Sequence, residues 1–333
     1  MAKSRRRVGR RHVHSKKKFV NPLTLDGVFD VLVNNSIRPK PAEVLYHYTD
    51  WNGAKGILLG QHFWETAHDC TNDEAELVSA HSVILEVAET LKKDAHGVVA
   101  ATLDLFLKGY PRLQVNKMKT IYLACFTLAR DDREQWHKYA DDGRGLCLGV
   151  RVLNEPIPTP KDTGSALIAV DYSEESWRNQ LMSDFKQICA ALSRARYSKH
   201  NMWLGSSALY RIAAFASIRA KQPKWAVEQE IRHATLIRDG ANIRPKERIR
   251  DGKVIRYLDD VELRTAGKKL AFAEIMIGPN QNPEEANARV VALLEEAGYK
   301  LGRLEYPEVT VSQLSDWIHE TQKEEKGITT ATA

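Results

Sequence analysis

The chain has 333 residues, 43% of them hydrophobic, which is enough apolar material for one large folded domain or two smaller ones. Its formal charge of +6 is an uneven average, because residues 1–18 hold nine positive charges and no acidic residue, leaving the remainder at −3. No apolar run is long enough to span a bilayer, and the charged N-terminus lacks the apolar core of a secretory signal, so membrane and secreted classes are disfavoured and a cytoplasmic protein is expected.

The basic segment contains Lys3, Arg5, Arg6, Arg7, Arg10, Arg11, Lys16, Lys17 and Lys18. It reads either as a solvated tail or as an arm that docks on the phosphates of RNA or DNA, since clustered Lys and Arg release counterions on binding. No aromatic residue lies inside the cluster, so base stacking by it is not expected. Beyond it, Leu25 to Leu32 reads as a short helix, and Pro39-Lys40-Pro41 breaks the chain. Val44 to Tyr48 alternates as a strand, Trp51 to Leu59 has helical spacing with Gly60 as its C-cap, and His62 to Thr66 forms a second short strand. Asn72-Asp73-Glu74 caps a helix that runs to about Lys93, while Val98 to Leu107 fits helix or strand.

In the centre, Thr120 to Thr127 is a β-prone run, Asp131 to Ala140 is helical, and Gly145 to Val152 is again a strand after an Asp142-Gly143 turn. Leu167 to Tyr172 is a strand, and Ser176 to Ala220 is helical with a break near Ser198 to Asn201. Trp225 to Ile237 starts like a helix and ends like a strand. Ile255 to Leu258 and Leu270 to Gly278 are strands, and Pro283 to Ala297 is a helix closed by Gly298. The domain plan is a basic tail over 1–20, one domain over 21–320 with a helical insertion at about 176–220, and a frayed end over 321–333.

Strands and helices interleave without a regular βαβ rhythm, and neither GxGxxG nor GxxxxGK[ST] occurs, which predicts an α+β domain with a split, mostly antiparallel sheet. Cys70, Cys125, Cys147 and Cys189 show no CxxC pairing and read as reduced, mostly buried thiols. His62, His68, Asp69 and Cys70 suit no standard metal site, so no metal is expected.

Several separated motifs occur in a fixed order: Leu45-Tyr46-His47-Tyr48-Thr49; Asn72, Asp73 and Glu76; Cys125-Phe126-Thr127; Trp136, Tyr139 and Ala140 with Gly145 and Gly149; Trp225, Glu228, Glu230 and Arg232; and Ile275, Gly278 and Pro279. On these residues, over roughly 43 to 312, the chain resembles the bacterial family called domain of unknown function 2971, with Thr127 where that family usually has Ser. That family in turn resembles the ADP-ribosyltransferases of the His-Tyr-Glu type. The resemblance implies a split sheet of that type and NAD as substrate, with His47, Thr49, Thr127, Tyr139 and Arg232 as dinucleotide-binding residues. It implies Glu230, assisted by Glu228, as the catalytic carboxylate.

The chemistry is consistent with those residue types. Cleaving the nicotinamide–ribose bond builds positive charge on the sugar, which a carboxylate such as Glu230 stabilises. Tyr139 offers an aromatic face for the nicotinamide, and His47 offers a hydrogen bond to a ribose hydroxyl or the carboxamide. With Glu228 and Glu230 both in a strand, the two carboxylates share a face with Arg232, which neutralises Glu228 or holds a phosphate. The expected class is a toxin or antiviral effector that modifies a macromolecule, with nucleic acid ahead of protein as acceptor and an inhibitory partner protein as a further expectation.

Plainer readings stand beside these. His47 also fits a hydrogen-bonded residue half-buried between two tyrosines, Tyr139 a core residue beside Trp136, and Glu228, Glu230 and Arg232 an ion-paired strand face. The functional alternative is a non-catalytic module that binds nucleic acid or a partner through the basic arm. A nuclease or phosphotransferase, which would need metal, is the third.

Overall fold

A computed structural model describes residues 27, 28, 31, 44–70, 80–111, 121–152, 163–237, 242–250, 252–258, 269–303 and 306–314. The basic segment 1–18, most of the helix expected at Leu25 to Leu32, the Pro39–Pro41 break, the Asn72-Asp73-Glu74 cap with Glu76, and the chain from Lys323 onward lie outside the described residues.

The strands are β1 (Val44–Thr49), β2 (Glu65–Ala67), β3 (Ile121–Thr127), β4 (Leu146–Arg151), β5 (Thr163–Ala169), β6 (Glu230–Ile237), β7 (Lys246–Arg250), β8 (Lys253–Leu258), β9 (Phe272–Ile277) and β10 (Glu308–Val311). They form one sheet in the order β10-β9-β4-β1-β3-β2-β8-β7, with β6 on β3 and β5 on β6. Every pairing is antiparallel except β9 with β10. The helices are α1 (Trp51–Gly60), α2 (His81–Lys93), α3 (Gly97–Gly109), α4 (Arg133–Tyr139), α5 (Glu174–Ser193), α6 (Lys199–Arg219) and α7 (Pro283–Glu296). The fold is α+β.

Burial explains the layering. Helices α2, α3, α5 and α6 pack Phe106, Phe185, Leu209 and Ile212 onto Leu123, Ala166, Ile168 and Ala234 of one sheet face. Helices α1 and α7 cover the other face, placing Leu58, Val290 and Leu294 against Leu45, Phe126, Leu148, Ile231 and Ile275. With apolar cover on both sides, β3 reads as a nearly continuous apolar run instead of an alternating one. The segment 174–219 is thus a wall of the main core.

The local punctuation follows side-chain chemistry. Asp50 caps α1 by accepting from the Gly53 amide at 2.7 Å, Ser198 caps α6 at the break expected there, and Asn282 caps α7 ahead of Pro283. The ambiguous stretch at Val98 to Leu107 is helical, because Val98, Thr102, Leu103 and Phe106 recur at helical spacing on one buried face. Gly60 is not the cap of α1. Gln61 holds that position in the left-handed region at φ 55°, its backbone N–H donating to Ile57 and its side chain bonded to Leu58. Strand β5 begins before Leu167, and neither β7 nor β10 was expected. Strand β7 lacks the alternating apolar pattern that marks a half-buried strand, and β10 alternates through Val309 and Val311 over only four residues, too short a run to stand out.

One structural fact positions the site. Strand β6 pairs along the whole of β3, whereas β1 and β2 share its other edge: Tyr46 opposes Thr127 at one end, and Thr66 and Ala67 oppose Leu123 and Tyr122 at the other. The sheet therefore forks between β1 and β2. The backbone beside β1 is closely packed, since a Cβ at Gly145 would stand 2.2 Å from the Thr49 carbonyl oxygen and one at Gly278 2.2 Å from that of Gly143. Gly145→Ala must push the main chain of two strand ends apart. Urea unfolding should show a loss of about 1–3 kcal/mol, whereas Gly56→Ala, which meets nothing within 4 Å, should be neutral or stabilising.

Candidate active site

A cleft of about 480 Å³ opens where the sheet forks, in the size range of small-molecule sites. Its lining includes His47, Cys125, Thr127, Tyr139, Trp225, Glu228, Glu230 and Arg232, drawn from β1, β3, α4, the Pro223–Glu228 turn and β6. Of the residues singled out from sequence, Thr49 does not line it; its hydroxyl lies instead against Gly53 at the start of α1.

Glu230 and Arg232 project from alternate positions of β6 onto the face of Cys125 and Thr127, their registered partners on β3. Arg232 donates Nε to Oε1 of Glu230 at 2.7 Å and Nη2 to Oε2 at 2.9 Å, and also bonds the Ile218 carbonyl. Lys221, just past α6, donates to Glu230 at 3.1 Å and to Glu228 at 2.5 Å. Lys138 of α4 reaches the other oxygen of Glu228 at 3.3 Å. Burial alone would raise the Glu230 pKa. The Arg232 and Lys221 charges, with hydrogen bonds from Arg232 and the Cys125 thiol, more than offset that and push the carboxyl down to about 2.

The strand-face argument for Glu228 fails in its geometry. Glu228 ends a 3-10 turn, and Gln229 at φ 43° reverses the backbone before β6 begins, so strand alternation does not align the two glutamates. They converge because Lys221 bridges them. Arg232 pairs with Glu230. Thr127 ties down the same turn: its hydroxyl donates to the Glu228 carbonyl at 2.5 Å and accepts from the Ala129 amide at 2.9 Å, so it fixes the loop and does not face the cavity as a donor.

Tyr139 closes the last turn of α4 and stands half-exposed at the rim. The rest of that helix is anchored inward. Trp136 is fully buried, edge-on to Tyr48, with its Nε1 donating to Asp131 at 2.8 Å. Tyr48 donates to the Ala129 carbonyl and accepts from the Asp132 amide, and Asp132 caps α4. Trp136 and Tyr48 are thus structural pins that aim Lys138 and Tyr139 at the cleft.

His47 enters from behind. Alternation along β1 sends Tyr46 and Tyr48 to the Glu230 face and Leu45 and His47 to the other, where the imidazole packs between Phe63 and Phe126 at 5.2 and 5.8 Å. It reaches the cleft because β1 leaves β3 after Tyr46, and Nδ1 bonds the Cys125 carbonyl at 2.9 Å in place of a strand hydrogen bond. A carbonyl only accepts, so Nδ1 carries the proton. Burial lowers the pKa against that hydrogen bond, leaving a neutral ring with Nε2 as an acceptor. His47, Tyr139 and Glu230 line one cleft, His47 from the opposite sheet face.

Sequence reasoning missed Lys221 and Tyr172 as members of the site, and it gave Trp225 a place in a motif but no role. Tyr172 Oη accepts from the Glu230 amide at 2.9 Å, and the Trp225 ring lies 4.5 Å from the Lys138 ammonium. The one signal for Lys221 was its place between a long helix and Pro223. Cys125, expected to be buried, lies on the cleft surface, where the surrounding protein and the Glu230 charge raise its pKa and keep the thiol protonated. Among the described residues, no group of three or more His, Cys, Asp or Glu side chains is arranged to hold a metal ion, and no helix is long and apolar enough to cross a membrane.

Over residues 135–233 the chain is similar to the family described as protein of unknown function (DUF2971), which supports that part of the sequence resemblance. The matched stretch carries Trp136, Tyr139, Glu228, Glu230 and Arg232. No curated protein and no solved structure matches the chain.

The depressed Glu230 pKa makes a stability prediction. The folded value of about 2 lies below the ordinary 4.5, so the contribution is fully present above about pH 4.5 and is lost as pH falls toward 2. Its size is about 3 kcal/mol. Denaturant titrations between pH 7 and pH 2.5 should show a shallower loss in Glu230→Gln than in the parent. At pH 7 the variant should be destabilised by about 3–5 kcal/mol, because Arg232 loses its buried partner.

Proposed function

We propose that the chain is an NAD-dependent ADP-ribosyltransferase that acts in the cytoplasm on a macromolecule, nucleic acid ahead of protein, in the manner of a bacterial toxin or antiviral effector. The observation that carries this reading is the convergence of His47, Tyr139 and Glu230, contributed by three separate motifs, on a single cleft at the fork of the sheet. Similarity to the family over residues 135–233 supports the grouping of the last two motifs but brings no activity with it.

In this reading the nicotinamide ring rests on Tyr139 at the rim, and the neutral His47 accepts a hydrogen bond through Nε2 from the carboxamide or a ribose hydroxyl. The C1′–N bond breaks with its electron pair passing to the pyridinium, so neutral nicotinamide leaves and positive charge appears on the ribose. Glu230, ionised far below neutral pH, opposes that charge. In this reading Glu230, held near 2, acts as electrostatic stabiliser, and Glu228 is the carboxylate that takes the proton from the acceptor. The acceptor then bonds C1′ as it loses its proton. Lys221, shared between the two carboxylates, must give up one contact when a ribose hydroxyl takes its place.

A second reading is favoured by one observation. Each oxygen of Glu228 and Glu230 already has a cation beside it, as in a structural ion-pair network that keeps a turn in place within a binding module. Incubation with NAD and nucleic-acid or protein acceptors, with nicotinamide release as readout, separates the two. Glu230→Gln should lower kcat about 100- to 1,000-fold, and Tyr139→Ala should chiefly raise KM. Equal release from parent and Glu230→Gln would remove the carboxylate from the mechanism, and no release from the parent with any acceptor would favour the binding module.

A further inference from the structure

The β7–β8 hairpin carries none of the motif residues, and among the described strands it is the most basic pair. Its two strands contain Lys246, Arg248, Arg250, Lys253 and Arg256 against a single acid, Glu247. Arg256, opposite Glu247, lies on one face and pairs with Asp69. Lys246, Arg248, Arg250 and Lys253 lie on the other: Lys246 opposes Tyr257 and Arg250 opposes Lys253, with Arg248 at the alternate position between Lys246 and Arg250.

That face is the face of the cleft. Tyr257 opposes Thr66 of β2, and Thr66 opposes Leu123 of β3, which lines the cleft itself. Three strand spacings separate β3 from β7, about 14 Å across the sheet. Two aromatic rings stand on this path. Trp64 is 42% exposed and lies 5.1 Å from the Tyr257 ring, with the Arg248 guanidinium 4.4 Å from the Trp64 centroid. Arg248 Nε has no hydrogen-bond partner among the described residues, so the guanidinium is held by ring stacking and its charge is not neutralised by a carboxylate there.

We infer that the cleft-side face of the β7–β8 hairpin, with Trp64, is a docking surface for single-stranded nucleic acid. Lys246, Arg250 and Lys253 are exposed and suit backbone phosphates, while Trp64 and Tyr257 present π-faces for unpaired bases, the combination that single strands need and a purely basic tail lacks. Stacking requires unstacked bases, which argues against duplex as the occupant. An acidic protein segment would match the charge but leave the exposed Trp64 ring without its complement. The inference extends the proposed function by giving a nucleic-acid acceptor a path to Glu230, yet it concerns binding alone and is measured without NAD.

The test is a fluorescence anisotropy titration of the full chain against labelled 15-nucleotide oligouridine and oligodeoxythymidine over a series of salt concentrations. Each phosphate contact on a single strand contributes about 0.7 to the slope of log K against log salt, so Lys246→Gln/Arg250→Gln/Lys253→Gln should lower the slope by about 2. Trp64→Ala should weaken binding about tenfold with the slope unchanged. Lys246→Arg/Lys253→Arg keeps the charge and should retain the parental slope, which a merely misfolded hairpin would not. Parental affinity and slope in both the triple variant and Trp64→Ala would overturn the inference and place any binding on residues 1–18. So would preference of the parent for polyglutamate over both oligonucleotides. Nicotinamide release without acceptor, scored on the same variants, should match the parent, which separates a failure of the docking surface from a failure of the enzymatic reading.

Discussion

Two carboxylates buried one residue apart, Glu228 and Glu230, force the arrangement of everything around them. Two carboxylates in a poorly hydrated space repel each other unless cations are delivered to them, and here three arrive from separate parts of the chain: Arg232 from β6, Lys221 from the end of α6 and Lys138 from α4. Lys221 is the joint, since it contacts both carboxylates. Its position depends on the docking of the last turn of α6 against β5 and β6, where Ala220 bridges Asp171 and the Ile218 carbonyl takes a bond from Arg232. The helical layer and the cleft are therefore one mechanical unit.

The fork of the sheet supplies the space that the ion pairs border. Had β1 continued along β3, the Cys125 carbonyl would have an ordinary strand partner and no cavity would exist. Instead β1 departs after Tyr46, and His47 takes over the orphaned carbonyl from the far face. The same departure lets β2 join β3 lower down and carry β8 and β7 beside it, so the basic hairpin and the cleft lie on a common surface. An irregularity in pairing thus provides both a concavity and an approach to it.

Several motif residues act as pins: Tyr48 borders the cavity, while Trp136, Asp131 and Asp132 stand behind its wall. Trp136, Tyr48, Asp131 and Asp132 bind one another and the start of α4, and Asp131 also accepts from Ser312 and the Gln313 amide, which ties the segment after β10 into the same corner. Gly145 and Gly278 permit backbones to meet there at distances a Cβ would forbid. Such residues stand next to Tyr139 and Lys138 in sequence, which is why a motif read linearly mixes scaffold and site.

The sequence by itself determined the α+β class, the long strands and helices, and the grouping of Tyr139, Glu228, Glu230 and Arg232 in two motifs, because periodicity is a local property. It did not reveal β7, whose Lys-Glu-Arg-Ile-Arg run has no apolar face and becomes a strand only through pairing with β8. Nor did it reveal Lys221, which is one cation among many until tertiary packing brings it between two glutamates. Only the tertiary structure decided that His47 serves the cleft from behind, that Arg232 answers Glu230, and that Thr49 stands apart. Those outcomes depend on where one strand leaves another and on which charges burial compels to pair, and neither is encoded in the spacing of residues along the chain.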